Sequence, residues 1–154
     1  MSREIERKYL VVGESWRSPG TAIRLRQGYL STVKERTVRV RVAGDAGHLT
    51  VKGITRGATR TEFEYEIPVA DADLMLDELC ERPLIEKTRH LVVHGDLTWE
   101  IDEFGGVNEG LVIAEVELED EAQPIELPAW VGDEVTADPR YFNSNLIAHP
   151  YSRW

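Results

Sequence analysis

The sequence holds a single cysteine, Cys80, in 154 residues. That excludes a disulfide framework and a cysteine-based zinc site. Cys80 itself reads as a small core residue on a helix. No apolar run approaches the ~18 residues that a membrane span needs. The opening residues, Met1 to Lys8, are charged, with no apolar stretch behind them long enough for a signal peptide. The expected location is therefore the cytoplasm. Cations are scarce: 18 Lys and Arg stand against 28 Asp and Glu, a formal net charge of −10. A chain this acidic is a poor general binder of DNA or RNA, whose phosphates need a basic face. The histidines His48, His90, His94 and His149 lack metal-ligand spacing. There is no Ser-His-Asp motif, no glycine-rich phosphate loop, no repeat and no low-complexity tract.

What is present is apolar material for a core, 42% of the residues, in a length that suits one domain, 1–154. The dominant pattern has period two. It runs through residues 3–12, 22–30, 36–43, 48–54, 60–68, 84–94, 97–104 and 111–119, eight candidate strands. Gly95-Asp96 between two alternating runs reads as a hairpin turn. Residues 71–82 predict a helix with Leu74, Leu76, Leu79 and Cys80 among acids, Asp71 or Asp73 as N-cap and Pro83 after its end. Residues 139–148 predict a short helix opening on Pro139, and 124–132 a connecting segment. The fold class expected is α+β, mainly β: an antiparallel sheet of eight strands closed into a barrel, with a few helices packed outside.

The polar phase of these strands is almost entirely ionic. Glu4, Glu6 and Lys8 share one face, because side chains at i, i+2 and i+4 of a strand point the same way. Arg24 pairs with Arg26 in this sense, Arg39 with Arg41, Glu62 with Glu64 and Glu66, Lys87 with Arg89, Glu100 with Asp102, and Glu115 with Glu117 and Glu119. Lys52 stands alone on its strand. A single such pair is ordinarily a solvated outer face. Eight strands carrying like charges in blocks need compensation. Ile5, Val38, Val40, Phe63, Tyr65, Trp99, Ile101 and Val116 occupy the opposite phase, which helices and loops could cover. The expectation is an inverted barrel, apolar outside and charged in its lumen. Arginines suit bidentate contact with phosphate oxygens. Clustered carboxylates suit Mg²⁺ or Mn²⁺. Both sets together fit a metal-bound polyphosphate.

At these residues the chain resembles the CYTH superfamily, the triphosphate tunnel metalloenzymes. Glu4-Ile5-Glu6-Arg7-Lys8 is similar to the ExExK signature, and Arg24-Leu25-Arg26-Gln27-Gly28-Tyr29-Leu30 to the RQGYL strand. Arg39-Val40-Arg41, Thr50-Val51-Lys52, Glu62-Phe63-Glu64, Glu86-Lys87-Thr88-Arg89, Asp102 and Glu115-Val116-Glu117 follow in family order. The tail with Asp138, Arg140-Tyr141 and Asn143 is similar to that of short bacterial members. The resemblance implies a divalent-metal-dependent hydrolysis of inorganic triphosphate to pyrophosphate and phosphate. Lys8, Arg24, Arg26, Arg39, Arg41, Lys52, Lys87 and Arg89 would grip phosphates. Glu4, Glu6, Glu115 and Glu117 would hold one metal. Glu62 and Glu64, with Asp102, would place a second metal or the attacking water. Lys8, Lys52, Lys87 and Tyr29 are the candidate bases.

Three other readings stay open on the sequence. A class IV adenylate cyclase and a thiamine triphosphatase both need room for an organic group that this short chain does not obviously supply. A polyphosphate-binding module would gain nothing from six carboxylates facing its ligand unless a metal is bound. The oligomeric state is open, with Trp and Pro residues near 128–130 placed to pack on a second copy in a homodimer or on the barrel itself.

Overall fold

A computed structural model describes residues 3–17 and 21–154. All eight alternating segments are strands: β1 (Arg3–Val11), β2 (Ala22–Ser31), β3 (Thr37–Ala43), β4 (Ala46–Lys52), β5 (Thr59–Ile67), β6 (Ile85–His94), β7 (Leu97–Phe104) and β8 (Val112–Glu117). They close into one antiparallel ring in the order β1-β5-β4-β3-β2-β6-β7-β8. Gly95 supplies the left-handed backbone (φ 63°) of the two-residue β6–β7 hairpin.

The closing seam is staggered, as ring closure of tilted strands requires. β5 meets β1 only at Arg3–Ile5. The rest of that edge of β1 is taken by a ninth strand, β9 (Val131–Glu134), paired at Tyr9 and Val11. The sequence placed a connecting segment up to residue 132. β9 is too short for its alternation to register as a strand, and pairing with an otherwise open edge is what orders it.

Three apolar clusters explain the closure. The first lies outside β1, β7 and β8, where Trp99 is wholly buried with Tyr9 and Trp130 at 5.6 and 5.5 Å between ring centroids. Trp130 thus packs on the barrel itself. The second lies between β3, β4 and helix α1 (Val69–Glu78), and joins Val40, Leu49, Ala72, Leu76 and Cys80. Gly28 admits Cys80 here, because a Cβ at Gly28 would lie 2.9 Å from the Cys80 Cβ. The third joins Tyr29, Ile85, Phe104 and Ile113 to Val135, Tyr141, Leu146 and Ile147. These strand residues all sit at one end of the barrel, so the C-terminal turns plug that end.

Four local expectations are corrected. α1 begins after Pro68 with no side-chain cap, since it starts at Val69 and so takes Asp71 and Asp73 into the helix, where Asp73 meets Arg26. Cys80 lies just past the end of the helix. Residues 139–148 form two 3₁₀ turns, Pro139–Tyr141 and Asn143–Leu146, the first capped by Asp138. Phe63 and Tyr65 are 43% and 58% exposed, because nothing described covers the outer face of β5. Among the described residues no helix is long and apolar enough to cross a membrane.

Candidate active site in the barrel lumen

The inward phase of the strands is charged, as the alternation predicts. β1 presents Glu4, Glu6 and Lys8, β3 presents Arg39 and Arg41, and β4 presents Lys52. β5 adds Arg60, Glu62 and Glu64, β6 adds Lys87 and Arg89, β7 adds Glu100, and β8 adds Glu115 and Glu117. They surround a cavity of about 190 Å³, with Tyr29, Thr37, Phe142, Asn143 and Ser144 completing its wall. Seven carboxylates thus face seven cations among the described residues.

Two sequence-derived candidates are absent from this wall. Arg24 and Arg26 point outward. Register decides this: in β2, Gln27 and Tyr29 stand opposite Arg41 and Arg39 of β3, and directly opposed residues share a face. Arg26 is neutralised outside by Asp73 and Asp77 of α1. Asp102 is a third correction. It is wholly buried behind the wall, and its two oxygens are taken by Lys87 at 2.8 Å and by Arg89 at 2.8 and 3.0 Å. It does not line the cavity, and both oxygens are engaged by cations, so its place in the structure is to hold those two cations. Glu66 and Glu119 are exposed and do not line the cavity.

Arg60, Glu100, Gln27 and Asn143 carry no site role in the sequence analysis. Arg60 and Glu100 were legible, being in phase with Glu62 and with Asp102. Gln27 is neutral and Asn143 lies in an aperiodic tail, so charge alternation marks neither, and their place in the motifs of the family resemblance is the signal that remains.

The charges hold one another. Lys52 reaches Glu4 at 3.0 Å and Glu62 at 3.2 Å. Lys8 lies 3.5 Å from Glu115 and 3.9 Å from Glu6. Arg39 donates to Thr50 at 3.2 Å and Glu64 at 3.5 Å, and its buried Nε has no partner among the described residues. Arg89 also meets Glu100 at 2.9 Å. Arg41 is left with one neutral partner, the Gln27 carbonyl at 3.0 Å.

Burial sets the protonation equilibria. It pushes Glu6 up to about 7, with Glu115 and Glu4 adding repulsion. Glu4, Glu100 and Glu117 are raised as well, burial being the main cause. Burial also lowers Lys87 to about 7 against the pull of Asp102, and Arg41 to about 9 with Arg39 and Arg89 adding to it. Burial opposes the ionisation of Glu115 and Asp102, but their cations prevail and hold both below the usual carboxylate range. Lys8 is raised, since Glu115 and Glu6 outweigh its burial. The lumen therefore holds carboxylates short of cations and an arginine short of an anion.

The comparisons with known proteins agree with this geometry. A model of the CYTH domain family matches residues 2–151. The chain is 51% identical over its whole length to a protein from Acetivibrio thermocellus named inorganic triphosphatase, of which it covers 99%. It is 40% identical over 152 residues to the inorganic triphosphatase of Nitrosomonas europaea, with 93% of this chain and 95% of that one covered. A crystal structure described as an inorganic triphosphatase superposes with a TM-score of 0.66 at 35% identity, covering 94% of this chain and 93% of the other. A putative adenylate cyclase from Bacillus halodurans shares the fold at 16% identity, with a TM-score of 0.63 over 79% of this chain and 84% of that one. With the ring of eight strands, its charged lumen and the match along nearly all of its length, the chain belongs to the CYTH domain family.

Proposed function

We propose that this chain hydrolyses inorganic triphosphate to pyrophosphate and phosphate in the lumen, with a divalent cation, in the cytoplasm. One observation carries the reading: seven carboxylates balance seven cations on the wall. A triphosphate adds several negative charges to that balance, so it enters favourably only with a cation of its own. The acidic donors are all oxygens, which suits Mg²⁺ or Mn²⁺. Among the described residues no three His, Cys, Asp or Glu groups converge on a ready-made site. That agrees with Mg²⁺, which takes one or two carboxylates and completes its shell with water and phosphate oxygens.

From the set Glu4, Glu6, Glu115 and Glu117, one or two carboxylates would bind one such ion directly and the others through its waters, and Glu62 and Glu64 would place a second ion or the attacking water. The ion would offset charge on the phosphates and polarise their oxygens. Arg39, Arg41, Lys52, Arg89 and Lys8 grip the phosphoryl oxygens, the positioning and charge neutralisation on which phosphoryl transfer depends. Water attacks one phosphorus, the bond to the bridging oxygen breaks, and pyrophosphate leaves. Lys87, which burial drives toward neutrality, is the lysine suited to take the proton. Lys8, held as a cation by its carboxylates, is not. Lys52 and Tyr29 are the remaining candidates on the wall, and Lys52 is tied up by Glu4 and Glu62.

The cyclase and thiamine triphosphatase readings are less well supported. Among the described residues the aromatic side chains on the cavity wall are Tyr29 and Phe142, and the rest of the lining is charged or polar, which offers an organic ring little to stack on.

Phosphate release from inorganic triphosphate is expected with Mg²⁺ or Mn²⁺ and not without, and Glu4→Ala is expected to lose it. Metal-dependent retention of triphosphate without release would make the lumen a binding module. A second expectation follows from Glu6. Between the ordinary carboxylate value of 4.5 and about 7, the folded chain keeps a proton that the unfolded chain has lost. Stability from this group is therefore full at low pH and lost as pH rises through about 7. A cation at Glu6 restores it. The rise in melting temperature on adding Mg²⁺ is expected to be larger at pH 8 than at pH 5.5. Equal rises in a thermal-shift assay would remove Glu6 from the metal-binding set.

A further inference from the structure

We propose that Asn143 binds substrate directly: its amide nitrogen donates to an oxygen of the phosphoryl group seated deepest in the lumen. The proposal rests on the triphosphatase reading and names a contact within it. Asn143 opens the turn Asn143–Leu146, part of the plug at the closed end of the barrel, and lines the cavity. Its Oδ1 accepts from Lys87 Nζ at 2.9 Å and from Gln27 Nε2 at 3.2 Å. Gln27 is wholly buried, and its own carbonyl accepts from Arg41 Nε at 3.0 Å.

This chain of bonds fixes both amides. Rotating Asn143 by half a turn would set its NH₂ against an ammonium and another NH₂, neither of which accepts. The Asn143 nitrogen is therefore the free end, and it has no acceptor among the described residues. Its neighbours on this part of the wall, Lys87, Arg41 and Lys8, are donors as well. Such a group of donors, with one neutral member, is matched by an oxyanion. The same carbonyl holds Lys87 and, through Gln27, orients Arg41, so one side chain both contacts the ligand and steadies two of its cations.

The test compares wild type with Asn143→Asp and Asn143→Ala. Asn143→Asp keeps an oxygen for Lys87 and Gln27 but has no N–H to give, and Asn143→Ala gives nothing. The expected result is a KM for inorganic triphosphate raised roughly 10–100-fold in both, the range of a lost hydrogen bond to a charged group. Calorimetric affinity for pyrophosphate should weaken alongside, and the melting temperature of Asn143→Asp should not fall below wild type. An Asn143→Asp enzyme with wild-type KM and pyrophosphate affinity would overturn the proposal and leave Asn143 a structural residue. A rise confined to Asn143→Asp would also overturn it, since charge repulsion alone would then account for the effect. Failure of the triphosphatase reading is distinguishable, because wild type itself would then release no phosphate from triphosphate, whatever its affinity for pyrophosphate.

Discussion

Asp102→Ala is expected to lower the melting temperature by on the order of 10 °C, from the ~3–5 kcal/mol cost of breaking a buried ion pair in a domain of this size. The carboxylate is wholly buried and serves two cations at once, Lys87 and Arg89. Removing it leaves Lys87 inside the barrel with the Asn143 carbonyl as its one polar partner among the described residues. Turnover of triphosphate should vanish with it, because Arg89, which grips phosphate, and Lys87, which takes the proton, both lose their anchor. The pH dependence gives a check that simple loss of packing would not. The Asp102 carboxyl is held below its ordinary value of 3.8 in the folded chain. Its contribution is present above that value and is lost as pH falls through the folded one. The deficit of the variant, followed by thermal denaturation, should be full at pH 7 and shrink below about pH 4. A deficit independent of pH would mean that the side chain matters for its shape and not for its charge.

Arg41→Met is expected to act in the opposite sense, lowering kcat/KM for triphosphate by about 10²–10³-fold, the loss typical of one donor to a charge-developing site. The melting temperature should be unchanged or higher. Arg41 has no carboxylate partner among the described residues, and burial beside Arg39 and Arg89 lowers its proton affinity to about 9. A cation held in that state costs the empty protein stability that its ligand would return. Functional sites commonly carry such a cost. Steady-state kinetics beside a thermal melt would decide. A destabilised Arg41→Met that retains full activity would make the residue structural and point the substrate elsewhere in the lumen. The two substitutions together separate charges that hold the barrel from charges that wait for a ligand.

Much of this was readable from alternation alone. A strand face repeats every second residue whatever surrounds it, so the eight strands and the grouping of Glu4 with Glu6 and Lys8, or Glu115 with Glu117, needed no coordinates. The blocks of like charge also gave the inverted barrel, since so many ionic faces could not all be compensated in solvent. Arg60 and Glu100 belonged to the same phases and were within reach of that reasoning.

Alternation marks two faces and does not say which of them turns inward. For most strands the ionic face turned in, and the sequence reading assumed the same of β2. There the inward face is Leu25, Gln27 and Tyr29, because cross-strand register with Arg39 and Arg41 puts those residues opposite them. Arg24 and Arg26 fall outside, where α1 offers Asp73 and Asp77 to Arg26. Asp102 shows a second limit. Its phase is right, but depth along the strand sets it beside the apolar plug and between two cations, which consume both of its oxygens. β9 and Asn143 show a third, since both come from aperiodic segments whose places follow from an open edge of β1 and from the plugged end of the ring. The sequence by itself determined the strands, the charge sets and the class of ligand, because these depend on residue type and a period of two. Only the tertiary structure decided which charges face the ligand and which hold the wall, because that depends on register, depth and the partner each group finds across the barrel.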